Sequence, residues 1–184
     1  MTGRPRKFDR NQALVLAMEC FWANGFTATS IADLTNEMGI RAPSLYAAFG
    51  NKENLFEEAS ALYYAEVSKN VTTALAQPTA GEAIAELLRI SSEAYVDEAT
   101  PPGCLLMSEP RLSSQREQLA RTISERLQQG VEEGELLPEA DTASLASFVL
   151  AVAVGMSRRA RDGGKYEDLI SIANTALAAL PLAK

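Results

Sequence analysis

Apolar residues recur at helical spacing from one end of this chain to the other, and glycine or proline closes nearly every run. A half-buried strand needs strict alternation of apolar and polar residues, and no stretch worth assigning to a strand shows it. Leu14, Ala17, Met18, Phe21 and Trp22 share one face of a first helix, with Asp9 and Gln12 as its N-terminal cap and Asn24-Gly25 as its stop. Ser30 and Asp33 stand in capping-box register ahead of Ile31, Leu34 and Met38, and Gly39 ends this short second helix. A third begins near Arg41, tolerates Pro43 in its first turn, buries Leu45 and Phe49, and closes at Gly50-Asn51.

From Lys52 a longer pattern runs to about Leu75, where Gln77-Pro78 breaks it. Thr79 and Glu82 form a second capping box, opening a helix that carries Ile84, Leu87, Leu88, Ser91 and Tyr95. Pro101-Pro102-Gly103 interrupts the chain, and a short turn or helix over 104–108 stops at Pro110. Ser113 or Ser114 is expected to cap a helix reaching 130–134, with Leu119, Ile123 and Leu127 on one side. Another helix starts within 138–141, and the last runs from Lys165 or Tyr166 to Leu180. The expected fold is all-α, about nine helices: an N-terminal helix-turn-helix head over 1–52, with a basic arm over 1–8, and a C-terminal helical-bundle body over 53–184.

Composition removes whole classes of chemistry. The 184 residues include no histidine, which excludes a Ser-His-Asp relay, a Cys-His pair and every His-based zinc site. Cys20 and Cys104 are too few for a disulfide framework or a four-thiolate metal centre, suit a reducing cytosol, and read as two small buried side chains. No convergent carboxylate pair or metal spacing is visible. The expectation is therefore no enzyme, no cofactor and no metal. The basic N-terminus lacks the apolar core of a secretory signal, and the longest apolar stretch, 145–156, falls short of the roughly 20 residues of a membrane span. A cytoplasmic protein with no membrane partner is expected.

Charge is polarised. The first 52 residues hold six basic side chains against four acidic ones, while the rest of the chain brings the total to -7. A mildly basic head on an acidic body still permits a nucleic-acid partner, because binding depends on the field at the contact face. The stretch 145–156 is apolar nearly all round, so it needs cover on every side. Together with the stripe Leu169, Ile172, Ala176, Leu177 and Leu180, it predicts a homodimer formed through the last two helices.

Three short helices with a tight turn before the third are the helix-turn-helix arrangement, in which the third helix enters the DNA major groove. Ser30, Arg41 and Ser44 place donors near helix N-termini, Lys52 can reach phosphate, and Tyr46 lies one position off the buried Leu45–Phe49 stripe.

Over 21–56 the chain resembles the DNA-binding head of the tetracycline-repressor (TetR/AcrR) family. Phe21, Gly25, Phe26, Thr29, Ser30, Ile31, Leu34, Gly39, Ile40, Leu45, Tyr46, Phe49, Lys52 and Leu55 match that family's pattern at fixed spacing. Beyond the first third of the chain, the likeness is in helix order, in size and in the 130–136 segment. The resemblance implies that Thr29 and Ser30 touch backbone phosphate, that Arg41, Ala42, Pro43 and Ser44 approach base edges, and that Tyr46 and Lys52 anchor to phosphate. Two positions depart from it: Pro43 stands where many members have glycine, and Ala48 where many have histidine. Arg41, at a position often held by serine, can make up part of the difference through a guanine or phosphate. The arm containing Arg4, Arg6 and Lys7 is similar to the groove-seeking tail of several such heads.

The family's body implies a small-molecule pocket, for which Leu88, Tyr95, Cys104, Leu105, Met107, Ile123, Leu127, Phe148 and Val152 are the candidate lining, although each of them reads more simply as helix-packing core. The expected function is a ligand-responsive transcriptional repressor that binds a palindromic double-stranded DNA operator as a dimer and is released by a small molecule. The alternative is a helical-bundle adaptor for a protein partner, without DNA binding.

Overall fold

The computed structural model describes residues 8–183. Among them are nine α-helices: α1 (Arg10–Ala28), α2 (Ile31–Met38), α3 (Ala42–Phe49), α4 (Lys52–Leu75), α5 (Ala80–Ala94), α6 (Leu105–Ser108), α7 (Ser113–Glu132), α8 (Thr142–Arg161) and α9 (Tyr166–Leu177). The β pairing among the described residues is one isolated antiparallel bridge, Leu136 to Leu182.

Two compact units divide the chain, one ending at Tyr63 and the other beginning at Tyr64. The boundary expected at Lys52 therefore moves into α4. Aromatic packing is the reason. Leu55, Phe56 and Ala59 are buried, and the Phe56 ring stands edge-on to Phe21 at 5.2 Å and to Phe26 at 5.1 Å. Trp22 meets Tyr63 in the same way at 4.9 Å. The first three turns of α4 thus complete the core of the head rather than opening the body.

Local chemistry fixes the ends of the head's helices. The Asp9 carboxylate accepts from the backbone N–H groups of Asn11 and Gln12. Ser30 and Asp33 cap α2 reciprocally. α1 leaves its helical path at Gly25, and α2 ends on Gly39 in the left-handed region (φ 64°, ψ 29°), where a side chain would be strained. That residue turns the chain sharply from α2 into α3.

In the body, α7 packs on α8, and α5 on α9. Ile84, Leu88, Leu105, Leu106, Ile123, Leu127 and Met156 form its fully buried centre. The Arg126 guanidinium lies inside it and donates to the carbonyls of Leu75, Gln77 and Pro78. Those are the groups that a helix C-terminus and the turn after it would otherwise leave unbonded. Its charge is balanced by Glu135 at 3.6 Å, whose carboxylate also accepts from the Ala80 N–H at 2.6 Å. One ion pair therefore ties the end of α4 to the start of α5.

Two expected boundaries shift. α7 starts without a serine side-chain cap, because a 3-10 turn at Pro110–Leu112 leads straight into it. α9 stops at Leu177 instead of Leu180, and the chain beyond it pairs with the segment after α7, where the Leu137 N–H bonds to the Pro181 carbonyl at 3.0 Å.

α8 has 20 residues, and an 18-residue window within it has a mean hydropathy of 1.2, so it is long and apolar enough to cross a membrane by length and composition. In the fold it is a bundle helix. Ala146, Val149, Ala153, Met156 and Ala160 are buried on one side, while Phe148 is 39% exposed and Val154 40% on the other.

Candidate nucleic-acid interface

The turn at Gly39 delivers Arg41 as the residue immediately before α3. It takes an extended conformation at the N-cap, makes no side-chain capping bond, and is exposed. Its guanidinium has no hydrogen-bond or ion-pair partner among the described residues. Pro43 is exposed beside it, while Ala42 and Ser44 are half-buried. Farther along α3, Leu45 and Phe49 are buried and Tyr46 is 47% exposed. A helical face that buries positions 45 and 49 turns position 46 outward. Arg41, Pro43 and Tyr46 thus form a solvent-facing edge with two unspent polar groups.

At the start of α2 the sequence expectation needs correction. Thr29 is 1% exposed, and its hydroxyl donates to the Gly25 carbonyl at 2.7 Å. It secures the turn between α1 and α2 and does not face a phosphate. Ser30 is exposed, yet its hydroxyl donates to the Asp33 carboxylate at 2.6 Å while accepting from the Asp33 N–H at 3.1 Å. The hydroxyl bond to the carboxylate, together with the Ser30 N–H donated to the same carboxylate at 2.8 Å, holds the Asp33 carboxyl below its ordinary pKa. The N–H groups of Ile31 and Ala32, which have no helical acceptor, are the donors this terminus still offers an anion.

Lys52 opens α4 with its ammonium 4.3 Å from the centroid of the Phe26 ring. The ring restricts a long side chain that would otherwise roam, leaving it half-buried at the head's surface. Arg4, Arg6 and Lys7, the arm expected to seek a groove, lie outside the described residues.

Known proteins carry the same head. The model for bacterial regulatory proteins of the tetR family matches residues 13–59. The HTH-type transcriptional repressor ComR of Escherichia coli K12 is 34% identical over 97% of this chain and 92% of its own length. The chain belongs to the TetR family. A second relative of the same organism, the HTH-type transcriptional repressor BdcR, is 30% identical over 93% of the chain and 88% of its own length. Among solved structures, a cysteine mutant of the TetR family transcriptional regulator CifR, complexed with 26-bp double-strand operator DNA, superposes with a TM-score of 0.92 at 38% identity. That match covers 97% of this chain and all of the CifR chain.

In this TetR-family body the expected pocket residues separate into two groups. Leu88, Tyr95, Cys104, Leu105, Ile123 and Leu127 are buried where α5, α6, α7 and α8 pack on one another. Burial beside Cys104 pushes the Tyr95 phenol well above its ordinary pKa, so it remains protonated. Met107 and Val152 are half-buried. Phe148 corrects the expectation: it points away from that core and is 39% exposed. Its helix is apolar on both sides, so the sequence pattern alone could not say which side faces inward.

Sequence reasoning passed over Arg10. Its guanidinium donates to the Ala48 carbonyl at the end of α3 and to both oxygens of Glu58 on α4. Those partners lie 38 and 48 residues away, beyond any local motif.

Proposed function

We propose that this chain is a transcriptional repressor that binds a palindromic DNA operator as a homodimer and is released by a small molecule. The observation that carries the DNA-binding part is the solvent-facing edge at Arg41 and Tyr46, whose side-chain polar groups have no partner among the described residues, on a head shared with a CifR structure that holds operator DNA. Arg41, Ala42, Pro43 and Ser44 approach base edges from the first turn of α3. Tyr46 and Lys52 hold phosphate, joined by the α2 N-terminus and by Arg4, Arg6 and Lys7.

The dimer reading is supported by apolar surface on the last two helices. Phe148, Val154 and Ile172 are exposed there, and Ala151 and Gly155 between them are small enough for close helix approach. Two heads presented about 34–36 Å apart would occupy successive major grooves. A ligand enclosed by Leu88, Tyr95, Cys104, Leu105, Ile123 and Leu127 releases the operator by favouring a different spacing. Near-complete switching requires a differential affinity of about 5.5 kcal/mol. A cytoplasmic location accompanies this function.

The test is retention of genomic DNA fragments by the purified chain in a gel, followed by footprinting. A protected palindrome, released steeply as salt rises, is the expected result. Absence of retention on any duplex in dilute buffer overturns the proposal and favours a protein-binding adaptor.

A further inference from the structure

We infer that Arg10 is a positioning residue for base recognition: it sets the rotation of α3 by bonding its C-terminal turn and α4 at the same time. The inference rests on α3 being the helix that reads DNA. A helix of eight residues is too short to hold its own conformation, and the carbonyls of its last turn find no N–H donors within the helix. The neighbouring elements must therefore supply both its stability and its orientation.

Arg10 makes two contacts with α3 and one with α4. Its Nε and Nη2 lie 3.4 and 3.3 Å from the Ala48 carbonyl oxygen, and Nη2 also lies 2.7 and 2.8 Å from the two carboxylate oxygens of Glu58. The guanidinium carbon sits 4.5 Å from the centroid of the Phe49 ring. A cation at this end of α3 is also favoured by the helix dipole. The planar fork is the decisive element, since a single ammonium cannot offer two rigidly spaced donors over a ring.

Rotation matters because side-chain tips on a helix stand about 5–6 Å from its axis. A turn of about 10° displaces a donor by about 1 Å, more than the useful range of a hydrogen bond. Removing the clamp thus misplaces Arg41 and Ser44 while leaving them in the chain. The Arg10 and Glu58 side chains are 45% and 39% exposed, and an ion pair so exposed contributes little to stability. The clamp therefore serves orientation more than folding.

The experiment compares wild type, Arg10→Met, Arg10→Lys and Glu58→Gln. Two DNA probes are used: duplexes enriched by the wild-type protein from a randomised pool, and the unselected pool. Arg10→Met is expected to lose about tenfold more affinity for enriched than for unselected duplex, the discrimination carried by a bidentate base contact, at a thermal midpoint close to wild type. Arg10→Lys and Glu58→Gln are expected to fall between. Amide exchange over 42–49, measured without DNA, is expected to quicken in Arg10→Met. Equal loss on both probes with a shallower salt dependence makes Arg10 a phosphate contact and overturns the inference, as does unchanged exchange in α3. If wild type retains no duplex, the DNA-binding reading fails, and exchange alone still decides whether Arg10 holds α3.

Discussion

The Lys52 ammonium lies 4.3 Å from the centroid of the Phe26 ring. The interaction joins the first residue of α4 to the chain just past the Gly25 break in α1, and it aims a cation that the family pattern assigns to phosphate. Lys52→Ala is expected to weaken binding to all sequences alike. The slope of log affinity against log salt should become shallower by about 0.9 for each phosphate that is no longer neutralised, so by about 2 in a dimer. Fluorescence anisotropy across a salt series measures it. An unchanged slope would remove Lys52 from the interface.

Arg41 should behave differently. Its exposed guanidinium at the N-cap of α3 has a free fork to offer a base edge. Arg41→Ala is expected to cost about 1–3 kcal/mol on the operator and to relax preference at one base pair of each half-site. Enrichment from a random duplex pool with the variant shows which positions blur. A loss spread evenly over all sequences would assign Arg41 to phosphate instead.

The cap of α2 makes a pH prediction. Hydrogen bonds from the Ser30 side chain and N–H hold the Asp33 carboxyl below its ordinary value of 3.8. A depressed carboxylate stabilises the fold above its unfolded pKa, and that contribution disappears as pH falls through the folded value. Asp33→Asn should therefore melt below wild type at neutral pH, and the two melting curves should converge as pH drops under 3.8. Parallel curves across the whole range would contradict the assignment.

Gly103 and Gly134 share a positive φ, 78° and 75°, and differ in their surroundings. A Cβ at Gly103 would lie 2.7 Å from the Ser157 carbonyl oxygen and 2.8 Å from its hydroxyl, which accepts from the Cys104 N–H. One at Gly134 would meet nothing within 4 Å. Gly134→Ala is expected to cost about 1 kcal/mol of backbone strain alone, and Gly103→Ala about 3 kcal/mol once the clash is added. Urea unfolding separates them, and equal costs would mean that α8 yields freely at Ser157.

Phe148 and Val154 lie on the outward side of α8, each about two-fifths exposed. Phe148→Glu and Val154→Glu each place a charge that a packed interface would have to desolvate without a partner. Light scattering should report monomers, and operator affinity should fall to that of a single head. A variant that remains dimeric would place the interface elsewhere.

How far the fold could be read in advance depended on the range of the interactions involved. The Asp9 cap, the Ser30–Asp33 and Thr79–Glu82 boxes, the Gly39 turn and both ends of α4 lie where residue types and spacing placed them. Each depends on partners within about one helical turn, so a local pattern contains all the information required. The outward placement of Tyr46 follows similarly from the buried positions beside it.

Other features depended on partners distant in sequence. Thr29 carries the residue type of a phosphate donor, yet the packing of the head buries it to 1% exposure, and its hydroxyl is spent on the Gly25 carbonyl. The head's boundary moved to Tyr63 because three turns of α4 fill an aromatic cluster. The chemistry of the third helix and the capped starts of α1, α2 and α5 were thus set by amino-acid order alone, since caps and periodicity are local. Tertiary structure alone decided which side of α8 faces outward, that Arg10 grips Ala48 and Glu58, and that Arg126 closes α4, because burial and long-range ion pairing exist only once distant segments have met.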